Sequence, residues 1–313
     1  MLTSYINVKD EDECNGVVTV LEDEHGNQFK TVTVDEVVFP FEKLKIGAEK
    51  RLSYVKNFPY EDGDVLLCSY PKTGTHWTAN LLHYLMYDGP LDDLVSHPPC
   101  LIDLFDMDTV QQREGRRIVT SHFPPKSLPI EHFEKGGKTV LVFRNPKDAA
   151  VSMYHQLIRF KMLGEFKLSW NSYIDYWVDG KMLMGSFFDY YNKWQKYLEE
   201  KPDLDVLIVQ YEDLKMDSLN QLRRIQTYLG LSHSDERLQT VLDKCSLGNL
   251  RADVENGKIK TVLIDESGKS ILYRKGIIGD WKNHFTVAQD KKIEVIARDK
   301  FKNSIFNYKA WVC

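Results

Sequence analysis

No run of apolar residues in this chain approaches the roughly 18 to 20 that a membrane-spanning helix needs, so a spanning segment is not expected. The acidic start, Met1 to Glu13, has no apolar stretch of about 7 to 15 residues and does not read as a secretory leader. Cysteine is scarce. Five thiols (Cys14, Cys68, Cys100, Cys245, Cys313) stand far apart, odd in number and without a Cys-x-x-Cys pair, which argues against a disulfide framework or a zinc site. The 18 glycines and 11 prolines are scattered, with no repeat, low-complexity tract or obvious linker. A positive charge balance is also missing. A net charge of −5 argues against general nucleic-acid binding, yet leaves room for a local cluster of cations around one small polyanion. Together these absences predict a cytoplasmic protein.

What is present suffices for a sizeable core: 313 residues, 42% hydrophobic and 28% charged, read as one large domain. Residues 1–35 form an acidic N-terminal extension, expected to be partly mobile or a small hairpin turning at Glu22-Asp23-Glu24-His25-Gly26-Asn27. The main domain is expected over 36–313. From Asp64 onward, short apolar runs alternate with segments of helical periodicity. The runs are Val65 to Cys68, Ile118 to Thr120, Thr139 to Phe143 and Val206 to Val209. They are almost uniformly apolar, as strands covered on both faces must be, which predicts an α/β domain with a central parallel sheet flanked by helices. After the first run, Trp77, Leu81, Leu82, Leu85 and Met86 share a helical face that ends at Asp88-Gly89-Pro90. After the third, Asn145 is a helix cap and Pro146 suits the first helical position. After the fourth, Leu219, Leu222, Ile225 and Leu229 form another amphipathic face, stopped by Gly230. Ligands of such sheets bind beyond the carboxyl ends of the strands, so the chemistry belongs just after these runs.

Three segments there carry cations. Tyr70-Pro71-Lys72-Thr73-Gly74-Thr75-His76-Trp77 joins the first strand to its helix, where free backbone N–H groups and the positive helix end suit an anion. Its lysine precedes the glycine, so it differs in type from the Gly-x-x-x-x-Gly-Lys-Ser/Thr loop of nucleotide triphosphatases. Trp77 is either core or an indole face for a purine. Arg144 leaves the third strand and Ser152 lies two turns into the next helix; the pair reads either as a phosphate site or as a salt bridge and a helix-face serine. Arg274-Lys275-Gly276-Ile277-Ile278-Gly279-Asp280-Trp281 is either a solvated basic turn or another phosphate loop, whose glycines allow close approach to a ligand.

Taken together, Tyr-Pro-Lys-Thr-Gly-Thr-His-Trp at 70–77, Arg-Asn-Pro-Lys-Asp at 144–148 with Ser152, and Arg-Lys-Gly at 274–276 resemble the cytosolic sulfotransferase family, over roughly residues 40 to 290. The resemblance implies that fold, with a phosphosulfate-binding loop, and 3'-phosphoadenylyl sulfate (PAPS) as donor with PAP as product. Lys72, Thr73, Gly74, Thr75, His76 and Trp77 would surround the 5'-phosphosulfate, with Trp77 against the adenine. Arg144, Ser152, Arg274, Lys275 and Gly276 would hold the 3'-phosphate. Tyr211, in a Tyr-Glu-Asp that closes the fourth strand, would stand near the adenine, as would Cys245, Ser246, Leu247 and Leu250; Leu247 replaces a frequent Phe, removing some stacking. His122, in Ile118-Val119-Thr120-Ser121-His122-Phe123-Pro124, matches the family's catalytic base, and neutral imidazole can accept a hydroxyl proton near neutral pH. Lys72 would neutralise charge on the departing phosphate.

The same resemblance places Phe39, Thr120, His122, His155 and Phe160 around a small, largely apolar hydroxyl acceptor: alcohol, steroid-like or phenol. Thr120 stands where many phenol-acting members carry Lys, which tilts the expectation toward aliphatic alcohols. The aromatic stretch from Tyr154 to Trp177 serves either the pocket or the core. No carboxylate cluster suggests a metal, and metal-independent catalysis is expected. Lys282, Thr286 and Val287 fit most of a Lys-x-x-x-Thr-Val-x-x-x-Glu dimer segment, but Lys291 reverses the charge of its last position, which argues against a homodimer formed that way. Three rivals stay open: a nucleotide kinase, a carrier that binds nucleotide without turnover, and a retinol-dehydratase-like enzyme whose sulfated product eliminates.

Overall fold

Two sheets organise the chain, and both follow from where its β-branched residues fall. In the computed structural model, which describes residues 3–7, 16–41, 47–91, 100–104, 117–160, 165–259, 261 and 263–306, the first sheet is antiparallel and ordered β1 (Thr3–Asn7), β2 (Val17–Glu22), β3 (Gln28–Val34), β4 (Val37–Pro40). The turn expected at 22–27 joins β2 to β3. There Asp23 accepts from the backbone N–H groups of His25 and Asn27, each at 2.9 Å, an Asx arrangement that stands in for a backbone turn. The pairing continues from β3 into β4 through a tight turn at Asp35-Glu36, both at positive φ, so the boundary expected at residue 35 falls inside a hairpin of this sheet.

The hairpin is tied down. Tyr176 donates to the Glu22 carbonyl at 2.7 Å, and Ser172 donates to Glu24 at 2.7 Å. Val18, Phe29, Val32, Val37 and Phe39 join the main core. Each such buried side chain contributes roughly 1.5 to 3 kcal/mol.

The second sheet is parallel, in the order β6 (Cys100–Leu101), β7 (Ile118–Ser121), β5 (Val65–Ser69), β8 (Lys138–Phe143), β9 (Val206–Gln210). The four runs legible as strands form its body. Leu66, Cys68, Leu141 and Phe143 face one core while Val65, Leu67, Val140 and Val142 face the other, the two-residue alternation of a strand covered on both sides. The first face carries α1 (Ala48–Lys56), α3 (Ile130–Glu134), α4 (Pro146–Leu157), α5 (Trp170–Val178), α6 (Phe187–Glu200) and α11 (Val287–Lys300). The second carries α2 (Thr75–Met86), α7 (Tyr211–Met216), α8 (Ser218–Tyr228) and α9 (Asp235–Lys244), with α10 (Leu247–Glu255) following.

Helix ends fall where cap chemistry puts them. Asn145 caps α4 by accepting from the Lys147 N–H at 2.9 Å, with Pro146 at the first position. One expectation needs correcting: Tyr211 does not close the fourth strand but opens the short helix α7, because β9 ends at Gln210. Cys68 and Cys245 are buried free thiols, whereas Cys14 and Cys313 lie outside the described residues. Among the described residues no helix is long and apolar enough to cross a membrane.

Candidate active site

A cavity of about 440 Å³ opens at the carboxyl ends of β5, β7 and β8, where the parallel topology concentrates helix N-termini. Its first wall is the loop from β5 to α2. Lys72 (φ 71°) and Gly74 (φ 110°) adopt left-handed backbone angles, the kind of conformation that gathers successive N–H groups into an anion nest. Only glycine suits position 74: a Cβ there would stand 2.6 Å from the Tyr211 ring. Thr73 turns its hydroxyl back onto the Tyr70 carbonyl at 2.7 Å, and Thr75 shares a 2.7 Å hydrogen bond with Ser69, so the hydroxyls brace the loop from within.

The second wall gathers the cations. Arg144 is nearly buried; it donates to the Lys72 carbonyl at 3.0 Å, lies 4.2 Å over the Tyr211 ring, and keeps its Nε without a partner. Arg274 and Lys275 donate to the buried Asp280 at 2.7 and 2.6 Å. Burial pushes the Asp280 carboxyl up, but the hydrogen bonds from Lys275 and Arg274 outweigh it and hold the group well below the usual carboxylate range. Asp148, at the start of α4, accepts from the Gly279 and Trp281 N–H groups at 2.7 and 3.0 Å, which fastens this segment beside Arg144.

Next to the cations lies a flat aromatic corner. Trp77 donates to the Cys245 carbonyl at 3.0 Å and meets Tyr211 edge-on at 5.5 Å. Gly276 (φ 64°) passes so close to Leu247 that a Cβ would fall 2.9 Å from its Cδ2.

Burial lowers the titratable groups at the centre, leaving the three histidines neutral at pH 7 and Lys72 still mainly cationic. Burial, then the Arg144 and Arg274 charges, bring the Lys72 ammonium down to about 8. Burial lowers His122 to about 4, opposed by its bond to Ser69 and assisted by Lys72. His76 falls to about 3 through burial and the neighbouring Lys72 and His122, and its buried Nδ1 has no partner. His155 falls to about 4, through burial first and Arg274 next. His122 Nδ1 lies 2.8 Å from the Ser69 carbonyl oxygen, which can only accept. Nδ1 therefore carries the proton, and Nε2 keeps its lone pair.

The structure brings together Lys72, Gly74, Thr75, His76, Trp77, His122, Arg144, Ser152, Tyr211, Cys245, Ser246, Leu247, Arg274, Lys275 and Gly276 around one cavity, with His155 and Phe160. Thr73 and Leu250 stand behind its wall as buried supports. Two acceptor expectations are corrected. Phe39 is 1% exposed and packs edge-on against Phe123 at 5.5 Å, a core contact; its neighbour Pro40 reaches the cavity instead. Thr120 is fully buried in β7 and does not line the cavity, because the strand ends at Ser121 and its alternation does not carry through to His122. Of the aromatic stretch, Phe166, Trp170, Tyr173 and Tyr176 belong to the core or pack against it.

Away from the cations the cavity has an aliphatic wall that the sequence did not make legible: Leu101, Leu104, Met153, Met184, Leu263 and Ile271 contribute to it. Met184 arrives there because its N–H donates to the Val38 carbonyl at 2.8 Å, an edge contact with the N-terminal sheet. Behind His122 stands Asp103, whose one sequence signal is a lone carboxylate within Leu101-Ile102-Asp103-Leu104. Among the described residues no group of His, Cys, Asp and Glu could hold a metal.

Comparison with known proteins places this arrangement. A family model described as a sulfotransferase domain matches residues 62–305. Human sulfotransferase 2A1 is 32% identical over 251 residues, covering 78% of this chain and 86% of its own length. Human sulfotransferase 1C2 is 28% identical over 295 residues, covering 90% and 96%. The crystal structure of mouse sulfotransferase SULT7A1 complexed with PAP superposes with a TM-score of 0.71 at 26% identity, covering 88% of this chain and 96% of that one. Retinol dehydratase in complex with androsterone and inactive cofactor PAP shares the fold, with a TM-score of 0.72 at 18% identity and coverage of 90% and 92%.

Proposed function

The chain belongs to the sulfotransferase family and is a PAPS-dependent enzyme, and from that premise we propose that it sulfates the hydroxyl of a small, predominantly aliphatic acceptor with His122 as general base. The donor's fit is supported by three features: the nest at Lys72–Gly74, the free Nε of Arg144, and the Trp77–Tyr211 corner. Arg144, Ser152, Arg274 and Lys275 would hold the 3'-phosphate, and Trp77 and Tyr211 the purine.

The donor supplies an activated sulfuryl group on a phosphate leaving group. His122 Nε2 takes the acceptor's hydroxyl proton as its oxygen bonds to sulfur and the sulfur–oxygen bond to phosphate breaks. Lys72 and the N–H groups at the start of α2 counter the negative charge that grows on the departing phosphate. A donor dianion beside His122 would stabilise the imidazolium, so the proton can be held there despite the low value of the free site.

The observation that carries this reading is the free Nε2 of His122 on the cavity surface, where the cationic end meets the aliphatic wall. That wall also supports the acceptor class: among the described residues lining the acceptor half, Phe160 is the one benzenoid ring, the others clustering at the nucleotide end. Dimerisation through residues 282–291 is not part of the proposal, since exposed Lys291 reverses the charge of the family's segment. A cytoplasmic site of action is, and fractionation of cells producing the chain tests it.

The deciding experiment incubates the protein with PAPS and a panel of acyclic alcohols, hydroxysteroids and phenols without magnesium, following PAP and organic products by mass spectrometry. Sulfated alcohols should form, and His122→Ala should lower kcat by about a hundredfold or more. An active His122→Ala enzyme would refute the assignment of the base, and phenols turned over faster than alcohols would refute the acceptor class.

A further inference from the structure

Asp103 is 1% exposed, and a carboxylate so deeply buried is costly unless its oxygens are used. Both are used on one turn of chain. Oδ2 accepts from the backbone N–H of His122 at 2.5 Å, and Oδ1 accepts from the Ser121 hydroxyl at 2.6 Å. Ser121 Oγ in turn accepts from the Phe123 N–H at 3.0 Å, so residues 121–123 are gathered around a single carboxylate. The imidazole of the middle residue is fixed separately, by Nδ1–H donated to the Ser69 carbonyl.

We propose that Asp103 is a positioning residue for sulfuryl transfer: by gripping the backbone at 121–122 it sets the imidazole of His122 against the Ser69 carbonyl with Nε2 turned to the acceptor. The inference rests on His122 being the base. Its geometry goes further than a brace between β6 and β7, because both carboxylate oxygens bind the turn that bears the base. Leu101 and Leu104, on either side of Asp103, line the acceptor half of the cavity. One four-residue segment thus supplies part of the acceptor's wall and holds the group that deprotonates it, so acceptor and base share a frame. The charged and titratable groups facing His122 are Lys72 and His76 from the β5–α2 loop, with Asp103 behind it on the β6 side.

The substitution Asp103→Asn keeps the volume but leaves one acceptor oxygen for the His122 N–H, so that the Ser121 hydroxyl must turn to accept from the new amide and the charged grip on both donors is lost. In the full-length protein it should lower kcat by about tenfold to a hundredfold, as a small misplacement of a catalytic group does. PAP affinity by calorimetry and KM for PAPS should stay within about twofold, since no donor contact changes. The acidic limb of the kcat profile should move up toward the ordinary histidine range as the imidazole leaves its buried seat, a change that a brace alone would not produce. The double variant is decisive: in the His122→Ala background, Asp103→Asn should cost nothing further, because it acts through the missing ring.

An equal loss in both backgrounds would overturn the proposal while leaving His122 as base. A His122→Ala enzyme with normal kcat would overturn the base assignment, and this proposal with it. If Asp103→Asn does not yield folded protein, Ser121→Ala removes one of the two gripped donors and keeps the Asp103 side chain in place. It should lower kcat by about threefold with PAP affinity unchanged, and an unchanged kcat would overturn the proposal.

Discussion

The two halves of the cavity are built by different means. At the end proposed for the donor, the wall depends on backbone conformation: Lys72, Gly74 and Gly276 all take positive φ, and each glycine lets chain pass against a side chain that a Cβ would strike. At the end proposed for the acceptor, Met184 alone among the named wall residues takes a positive φ (65°); the wall is a set of aliphatic side chains delivered by β6, α4, the loop before α6 and the segment before Arg274. Anion binding demands aligned N–H groups and fixed cations, so few residue types are tolerated. Apolar binding demands volume and exclusion of water, which many residues provide.

Gly74→Ala attacks the donor end where that constraint is tightest. Positive φ costs a non-glycine residue about 1 to 2 kcal/mol, and the new methyl would also meet the Tyr211 ring at 2.6 Å. PAP affinity measured by calorimetry should fall by about tenfold to a hundredfold, while the acceptor profile of the residual activity stays the same. A variant that changes acceptor preference instead would break the division between the two ends.

A subtler test uses pH. The Lys72 ammonium of the free enzyme titrates at about 8, and an anionic ligand stabilises the protonated form. The free site loses its proton as pH rises through that value, whereas PAP is already fully ionised, so binding must take up a proton above pH 8. PAP affinity should therefore be greatest near pH 7 and weaker by about tenfold at pH 9. Lys72→Met should bind more weakly and remove most of that slope. His76 does not contribute, being neutral across the range.

The same contrast explains what could be read from sequence. Four apolar runs and their caps located the parallel sheet, since strands buried on both faces and helices opening at Asn145-Pro146 leave local signatures. The donor end was equally local: Lys72, Gly74 and Trp77 lie within one loop, and Arg274 to Gly276 within another. The extent of the N-terminal sheet was less visible, because its anchors at Tyr176, Ser169 and Ser172 lie about 145 residues or more away in sequence. Leu101, Met184, Leu263 and Ile271 were invisible as a group, since nothing in a lone Leu or Met records which face it will turn to a cavity. Phe39 and Thr120 were misplaced for the converse reason: proximity to the site along a strand does not fix the direction of a side chain.

Substitutions in the acceptor wall should act weakly and on one substrate alone. Met184→Ala removes a flexible apolar side chain from the cavity surface, and about 1 kcal/mol of lost contact corresponds to several-fold in kcat/KM for the best alcohol. Donor affinity should be unchanged, and a fall in PAP binding would mean that the two halves are mechanically linked through the loop before α6.

The smallest functional effect is expected at Phe39, and it is informative because of its neighbour. Phe39 sits within the aromatic core against Phe123, one residue before Pro40, which does reach the cavity. Phe39→Leu keeps the site apolar and loses ring contacts, at a cost of about 1 kcal/mol or a little more, so thermal unfolding should shift down by about 2 to 4 °C. Because that ring faces the core and not the cavity, kcat and KM for every acceptor should stay within about twofold of the parent enzyme. A selective change in KM for one acceptor, with no shift in Tm, would put the ring back in the pocket and extend the acceptor wall into the N-terminal sheet.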